Sequence, residues 1–165
     1  MKFITNLLEN LGLSKESDKL TDEEENVYKE HLAKVYSLLQ SESKDTLINT
    51  CRSPLTINLE SSVPLVTKYP KLTYRIWNDL CENFGREQFA QEIHTARIDT
   101  FPDGRYYLEL CATTYTLQLP GYHLGYMGDK PIETLHILSD VGFSKEKLTE
   151  IFYSNISKIE LTKEN

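Results

Sequence analysis

Hydrophobic spacing divides the chain into helical and extended stretches before any chemistry is considered. Ile4, Leu7, Leu8 and Leu11 follow the i, i+3, i+4, i+7 rule of one helix face, which predicts a short amphipathic helix closed near Gly12. A helix of that length does not persist alone in water and has to dock on something. The polar stretch from Ser14 to Lys19 reads as a linker. Thr21 then opens a capping box with Glu24, because the threonine oxygen can accept an orphan backbone N–H. Asp22, Glu23, Glu24 and Glu25 fill the first turn, where the helix dipole favours negative charge. Tyr28, Leu32, Val35, Tyr36 and Leu39 continue one stripe to about Gln40.

Beyond residue 54 the period changes. Leu55, Ile57 and Leu59 alternate with Thr56, Asn58 and Glu60, the mark of a strand with one wet face. Val63 to Thr67 reads as a second apolar piece, with Pro64 suited to an edge or bend. Pro70 opens a helix whose face carries Tyr74, Trp77, Cys81 and Phe84, with Arg75 and Asp79 paired at i, i+4 and Gly85 placed to stop it. Phe89 and Ile93 leave residues 86 to 93 open between helix and strand.

Phe101-Pro102-Asp103-Gly104 has hairpin-turn chemistry: proline sets one backbone angle and glycine accepts a left-handed one. It joins a segment from about Glu92 to a long run, Arg105 to Leu119. Read as one strand, that run directs Tyr107, Cys111, Tyr115, Leu117 and Leu119 to one side and Tyr106, Leu108, Leu110, Ala112 and Thr114 to the other. That pattern predicts a central strand covered on both faces. After Pro120 a glycine-rich, aromatic loop spans residues 121 to 130, and two helices follow. One carries Ile132, Leu135 and Leu138; the other carries Leu148, Ile151, Phe152 and Ile156, with Gly142 between them and Ser144 as N-cap. Residues from about Glu160 read as a frayed polar tail.

These elements predict a single α+β domain over residues 1–165, with residues 1–20 as docking helix and linker and 160–165 as a flexible tail. An antiparallel sheet of about three to five strands packs with amino-terminal helices and a carboxyl-terminal helical hairpin. The 165 residues, 39% hydrophobic and 26% charged, suffice for such a core. Eighteen basic against twenty-five acidic residues leave a net charge of −7, unfavourable for a general nucleic-acid binder. Residues 1 to 30 hold eight acids and four bases, whereas residues 51 to 98 hold five acids and six bases, so the acidity is local.

Three cysteines without a Cys-x-x-Cys pair, and four histidines without a close pair, offer no metal-binding spacing and fit a reducing compartment. No secretory signal or membrane-spanning run is readable, so a cytoplasmic protein is expected. No cofactor motif occurs: the 121–130 loop lacks the Gly-Lys-Ser/Thr ending of a phosphate loop.

That loop is nevertheless the leading candidate for binding. Its glycines permit close backbone approach, and Tyr122, His123 and Tyr126 supply rings and a titratable group of the kind found at protein interfaces. Glu23 and Glu24 form a second candidate contact. The function expected is that of a non-catalytic binding protein, an inhibitor, immunity-type or adaptor protein, with a protein partner. One alternative is a small enzyme or ligand binder with a pocket at one end of the sheet, using His94 or His123. Another is a transcriptional regulator: Leu138 to Ser144 with Leu148 and Ile151 resembles the turn and second helix of a helix-turn-helix. There, Lys145 and Lys147 are offset by Glu146 and Glu150.

Overall fold

The computed structural model describes residues 19–44, 54–124, 128–154 and 158–163. The amino-terminal helix read over residues 4–11 and Tyr126 lie outside these. Helix α1, Asp22–Lys44, starts where its cap predicts: Thr21 Oγ1 accepts the Glu24 N–H at 3.2 Å, and four acidic residues fill the first turn. Tyr28, Leu32, Val35 and Leu39 are buried along one stripe.

Strand β1, Leu55–Asn58, is shorter than its alternation implies. The side chain of Asn58 accepts the Glu60 and Ser61 N–H groups, so the chain turns into a helix, α2 (Leu59–Ser62), and Leu59 is buried from a helical turn. A local side-chain cap here overrides strand periodicity. The apolar piece that follows is likewise helical: Pro64 sits at φ −59°, already in helical geometry, ahead of α3, Leu65–Lys68. Helix α4, Leu72–Leu80, does not end at Gly85. It passes through a wide π-type turn, Cys81–Gly85, and re-enters a helix, α5 (Arg86–Glu92), because Gly85 at φ 113° bends the chain and Arg86 is again helical.

Strands β2 (Thr95–Thr100), β3 (Tyr106–Cys111), β4 (Tyr115–Pro120) and β5 (Ile159–Thr162) complete a five-stranded sheet of order β1-β4-β3-β2-β5. The predicted turn joins β2 to β3, with the Phe101 N–H on the Arg105 carbonyl at 2.8 Å and Gly104 at φ 87°. The fold is α+β, but the sheet is mixed: β1 runs parallel to β4, and the other pairings are antiparallel.

The long run 105–119 is two strands, not one. A tight reversal at residues 112–114, closed by the Ala112 N–H on the Tyr115 carbonyl at 2.9 Å, resets the alternation. Leu108 and Leu110 of β3 therefore share a face with Leu117 and Leu119 of β4, and the two-sided apolar pattern disappears. Ile57, Ala96, Ile98, Leu108, Leu110, Leu117, Leu119 and Leu161 all belong to that face, and all join the core formed with the helices. The described helices thus pack on this side of the sheet.

After the loop come α6, Asp129–Asp140, and α7, Lys145–Tyr153, with Gly142 at φ 98° between them and Ser144 Oγ accepting the Lys147 N–H. Residues 160–162 of the expected frayed tail instead belong to strand β5. Leu161 pairs with Ala96, Ile159 pairs with Ile98, and the Lys163 N–H reaches the His94 carbonyl at 2.9 Å. A polar surface residue at every second position made this strand look like a tail. Among the described residues no helix is long and apolar enough to cross a membrane.

A frayed tail and an edge strand respond differently to truncation. Leu161→Ala is expected to cost about 2–3 kcal/mol in urea denaturation, and Glu160→Ala less than about 1 kcal/mol. Equal, negligible effects would restore the tail.

Candidate functional site

Alternation that buries one face of the sheet leaves the other for polar groups. In register across all five strands lie Asn58, Gln118, Glu109, Arg97 and Glu160. Their side chains form one continuous ladder: Asn58 donates to Gln118 at 3.3 Å, Gln118 to Glu109 at 3.1 Å, and Arg97 to both Glu109 and Glu160 at 2.9 Å. Arg97 retains 46% side-chain exposure. Glu160 foremost, with Glu109, raises the guanidinium's pKa, so it stays charged. Beside this ladder runs a row of Thr56, Thr116, Cys111, Thr95 and Thr162, of which the central Thr116, Cys111 and Thr95 are buried. Burial raises the Cys111 thiol and keeps it protonated near neutral pH, unlike a nucleophilic thiolate.

The same face ends in an aromatic corner. Tyr107, opposite Asp99 and Pro120, stacks on Phe101 with ring centroids 4.4 Å apart, and the Arg105 guanidinium lies 5.5 Å from the Phe101 ring. Glu60 and Asp103 each hold Arg105 at 2.8 Å, which fixes the side chain of a loop residue. The backbone N–H and guanidinium of Arg105 together hold the Asp103 carboxyl below its ordinary range. Asp99 is likewise lowered, by the Thr100 N–H and then by Lys158, which stands 3.2 Å away.

The sequence-predicted contacts are distributed differently. Tyr122 has 0% exposure and is a core residue, so it offers no contact surface. The Lys130 ammonium lies 4.5 Å from its ring, and the Glu133 carboxyl is adjacent. Burial raises the pKa values of the Tyr122 hydroxyl and the Glu133 carboxyl and lowers that of the Lys130 ammonium. The Tyr122 ring, next to Gly121, lies in the core because a large aromatic ring gains from being removed from water. His123 is half-buried and stacks on Tyr106 at 4.6 Å. His94, whose Nδ1 lies 2.9 Å from Thr95 Oγ1, sits at the other end of β3, since its N–H bonds Cys111. The two histidines therefore do not converge.

Glu23 is exposed at the start of α1. Glu24 is engaged by Lys68 at 3.2 Å, and the Tyr69 hydroxyl, followed by Lys68, holds its carboxyl low. Helix α1 belongs to the helical layer, so a flat partner on the ladder face cannot also cover Glu23 and Glu24.

Sequence reasoning missed a buried polar band between α4 and α6. Trp77 Nε1 donates to Asp140 Oδ2 at 2.9 Å, and Arg86 Nε lies 3.1 Å from Asp140 Oδ1, whose side chain has 0% exposure. His136 Nδ1 is 4.0 Å from the same carboxylate and is hydrogen-bonded to the Tyr74 hydroxyl. The signal was available: Glu133, His136 and Asp140 recur at three- and four-residue spacing on α6, opposite the Tyr74, Trp77 and Cys81 stripe. Burial raises the Tyr74 hydroxyl and pushes the Cys81 thiol up to about 12, while it lowers His136. The band thus holds neutral Tyr74, Cys81 and His136 around one ion pair, an arrangement that fastens α4 to α6.

Because His136 has a folded-state pKa below its unfolded value of roughly 6.5, its contribution to stability is intact above that pH and is lost as pH falls through the unfolded and then the folded value. Glu133, raised by burial, acts with opposite sign, so the comparison must be by difference. His136→Gln, which can still meet the Tyr74 hydroxyl, is expected to lose less stability than the parent between about pH 7 and 5 in urea titrations. Parallel curves would show that His136 does not carry this dependence.

Comparison of the chain with protein-family models, with curated proteins and with solved structures gives no match, so function has to be read from the geometry of the site itself.

Proposed function

We propose that this chain is a non-catalytic cytoplasmic binding protein, of the inhibitor, immunity-type or adaptor kind, whose polar sheet face docks through its ladder and aromatic corner onto a flat, basic surface of a partner protein. The observation that carries this reading is the side-chain ladder spanning all five strands. Side chains already held in one arrangement lose little conformational freedom on docking. Tyr107, Phe101 and Arg105 add large, fixed groups of the types that dominate interface energetics.

Charge complementarity selects the partner's chemistry. On this face and its rim, Glu60, Asp99, Asp103, Glu109 and Glu160 face Arg97, Arg105 and Lys158, an acidic excess within a chain of net charge −7. Such a field accelerates encounter with a basic surface and discourages acidic ones. Glu23, in the other layer, would serve only a separate contact.

A photo-crosslinking side chain at position 107, compared with one at Lys34 on α1, tests the reading in the native cell. Crosslinks to a basic protein specific to position 107 are expected, together with at least a tenfold loss of affinity for that protein in Asp99→Lys/Glu160→Lys. Exposed ion pairs contribute about 0–1 kcal/mol each, so thermal melting of that variant should remain close to the parent's. Identical crosslinks from both positions, or unchanged affinity after charge reversal, would overturn the proposal.

A further inference from the structure

Strand β5 ends the order β1-β4-β3-β2-β5, and among the described residues its outer edge carries no further strand. The Lys163 N–H on the His94 carbonyl sets the phase of its pairing with β2. Leu161 and Ile159, opposite Ala96 and Ile98, turn their backbone groups toward β2. Glu160 and Thr162, both exposed, therefore direct their N–H and C=O groups outward. Edges of this kind are commonly guarded by lysines. Here the flanking lysines are drawn inward, Lys158 to Asp99 of β2 at 3.2 Å and Lys163 to the Ala90 carbonyl of α5 at 2.5 Å. The opposite edge is blunted, since the chain leaves β1 at Asn58, whose carbonyl already accepts the Ser61 hydroxyl.

We propose that the β5 edge receives an extended segment of the basic partner, added antiparallel to β5 as a further strand of the sheet. The rows that cross the sheet specify its side chains. The ladder ends in Glu109, Arg97 and Glu160, and Arg97 engages one oxygen, Oε2, of a Glu160 carboxylate that is 61% exposed, so the position opposite Glu160 takes lysine or arginine. Opposite Thr162, the row of Thr116, Cys111, Thr95 and Thr162 continues with a small polar residue. Beside Leu161 and Ile159 the aliphatic rows continue with apolar residues. A second copy of β5 meets these demands less well. Full overlap of two antiparallel copies sets Glu160 of each opposite Thr162 of the other, and Lys158 meets Glu160 only where the strands overlap at Ile159 alone. The inference rests on the basic partner proposed above and names how that partner is held.

The test uses the full chain and a capped peptide, threonine-valine-lysine-valine-threonine. One control peptide has glutamate in place of lysine, and another carries N-methyl groups on the first threonine and the lysine, whose N–H groups would face β5. Amide hydrogen exchange followed by NMR reads strand addition directly. The lysine peptide is expected to slow exchange of the Glu160 and Thr162 amides at least tenfold, with less change at Leu161, which is already bonded to β2, and both controls should bind at least tenfold more weakly. Thr162→Pro removes an outward N–H without touching the bonds to β2 and should abolish the protection. Glu160→Lys keeps the backbone edge and should weaken the lysine peptide at least tenfold while favouring the glutamate one. Unchanged exchange at Glu160 and Thr162, or equal binding of the three peptides, would overturn strand addition and leave a crosslink at position 107 standing. Protection that grows with protein concentration in the absence of peptide would assign the edge to a second copy and overturn the proposal as well. Protection by the lysine peptide without a crosslink specific to position 107 would support the edge and overturn only the docking of the polar face.

Discussion

Ala96, Leu110, Leu117 and Ile57 lie side by side across four strands, and Ile98, Leu108 and Leu119 form the next row. Everything else in the fold is arranged around the constraint that these rows impose. Successive strand residues point to opposite faces, so filling one face with aliphatic groups commits the helices to that side. The stripe of Tyr28, Leu32, Val35 and Leu39 on α1 and the Ile76, Trp77 and Leu80 side of α4 meet the same surface. Removal of this apolar area from water is the main favourable contribution to the fold.

Two consequences follow on the two sides of the sheet. On the helical side, burying a carboxylate is costly unless it is partnered; at Asp140 the Trp77 N–H meets one oxygen and the charge of Arg86 faces the other. Glu92 does the same between α5 and the sheet, accepting the Tyr115 hydroxyl at 2.6 Å and the Ser43 hydroxyl from α1. On the polar side, the same alternation places Asn58, Gln118, Glu109, Arg97 and Glu160 next to one another at interstrand spacing, close enough to bond in series. The candidate interface is thus a by-product of strand register.

Local signals were legible where the relevant physics is local. Thr21 and Ser144 cap helices because their hydroxyls reach backbone N–H groups within three residues, and the 101–104 turn follows from its own proline and glycine. The reversal at residues 112–114 carries no glycine, proline or asparagine. Without that punctuation the alternation counted through the turn assigned every later residue of the run to the wrong face. Strand β5 was equally hidden, for four residues with two polar positions have no strand identity until β2 offers an edge to pair with. Tyr122 was hidden for a related reason: glycines mark a loop, but whether its ring faces water depends on which surface lies beneath.

By itself the sequence determined the α+β class, the caps of α1 and α7, the β2–β3 turn and an acidic charge that disfavours general nucleic-acid binding. Each of these depends on neighbours within a few residues or on a sum over the whole chain. The tertiary structure alone decided the parallel β1–β4 pairing, the assignment of the polar face, and the burial of Tyr122 and of the α4–α6 polar band. These depend on register and packing between segments tens of residues apart. Such contacts form only because burying a shared apolar face outweighs the entropy of bringing those segments together.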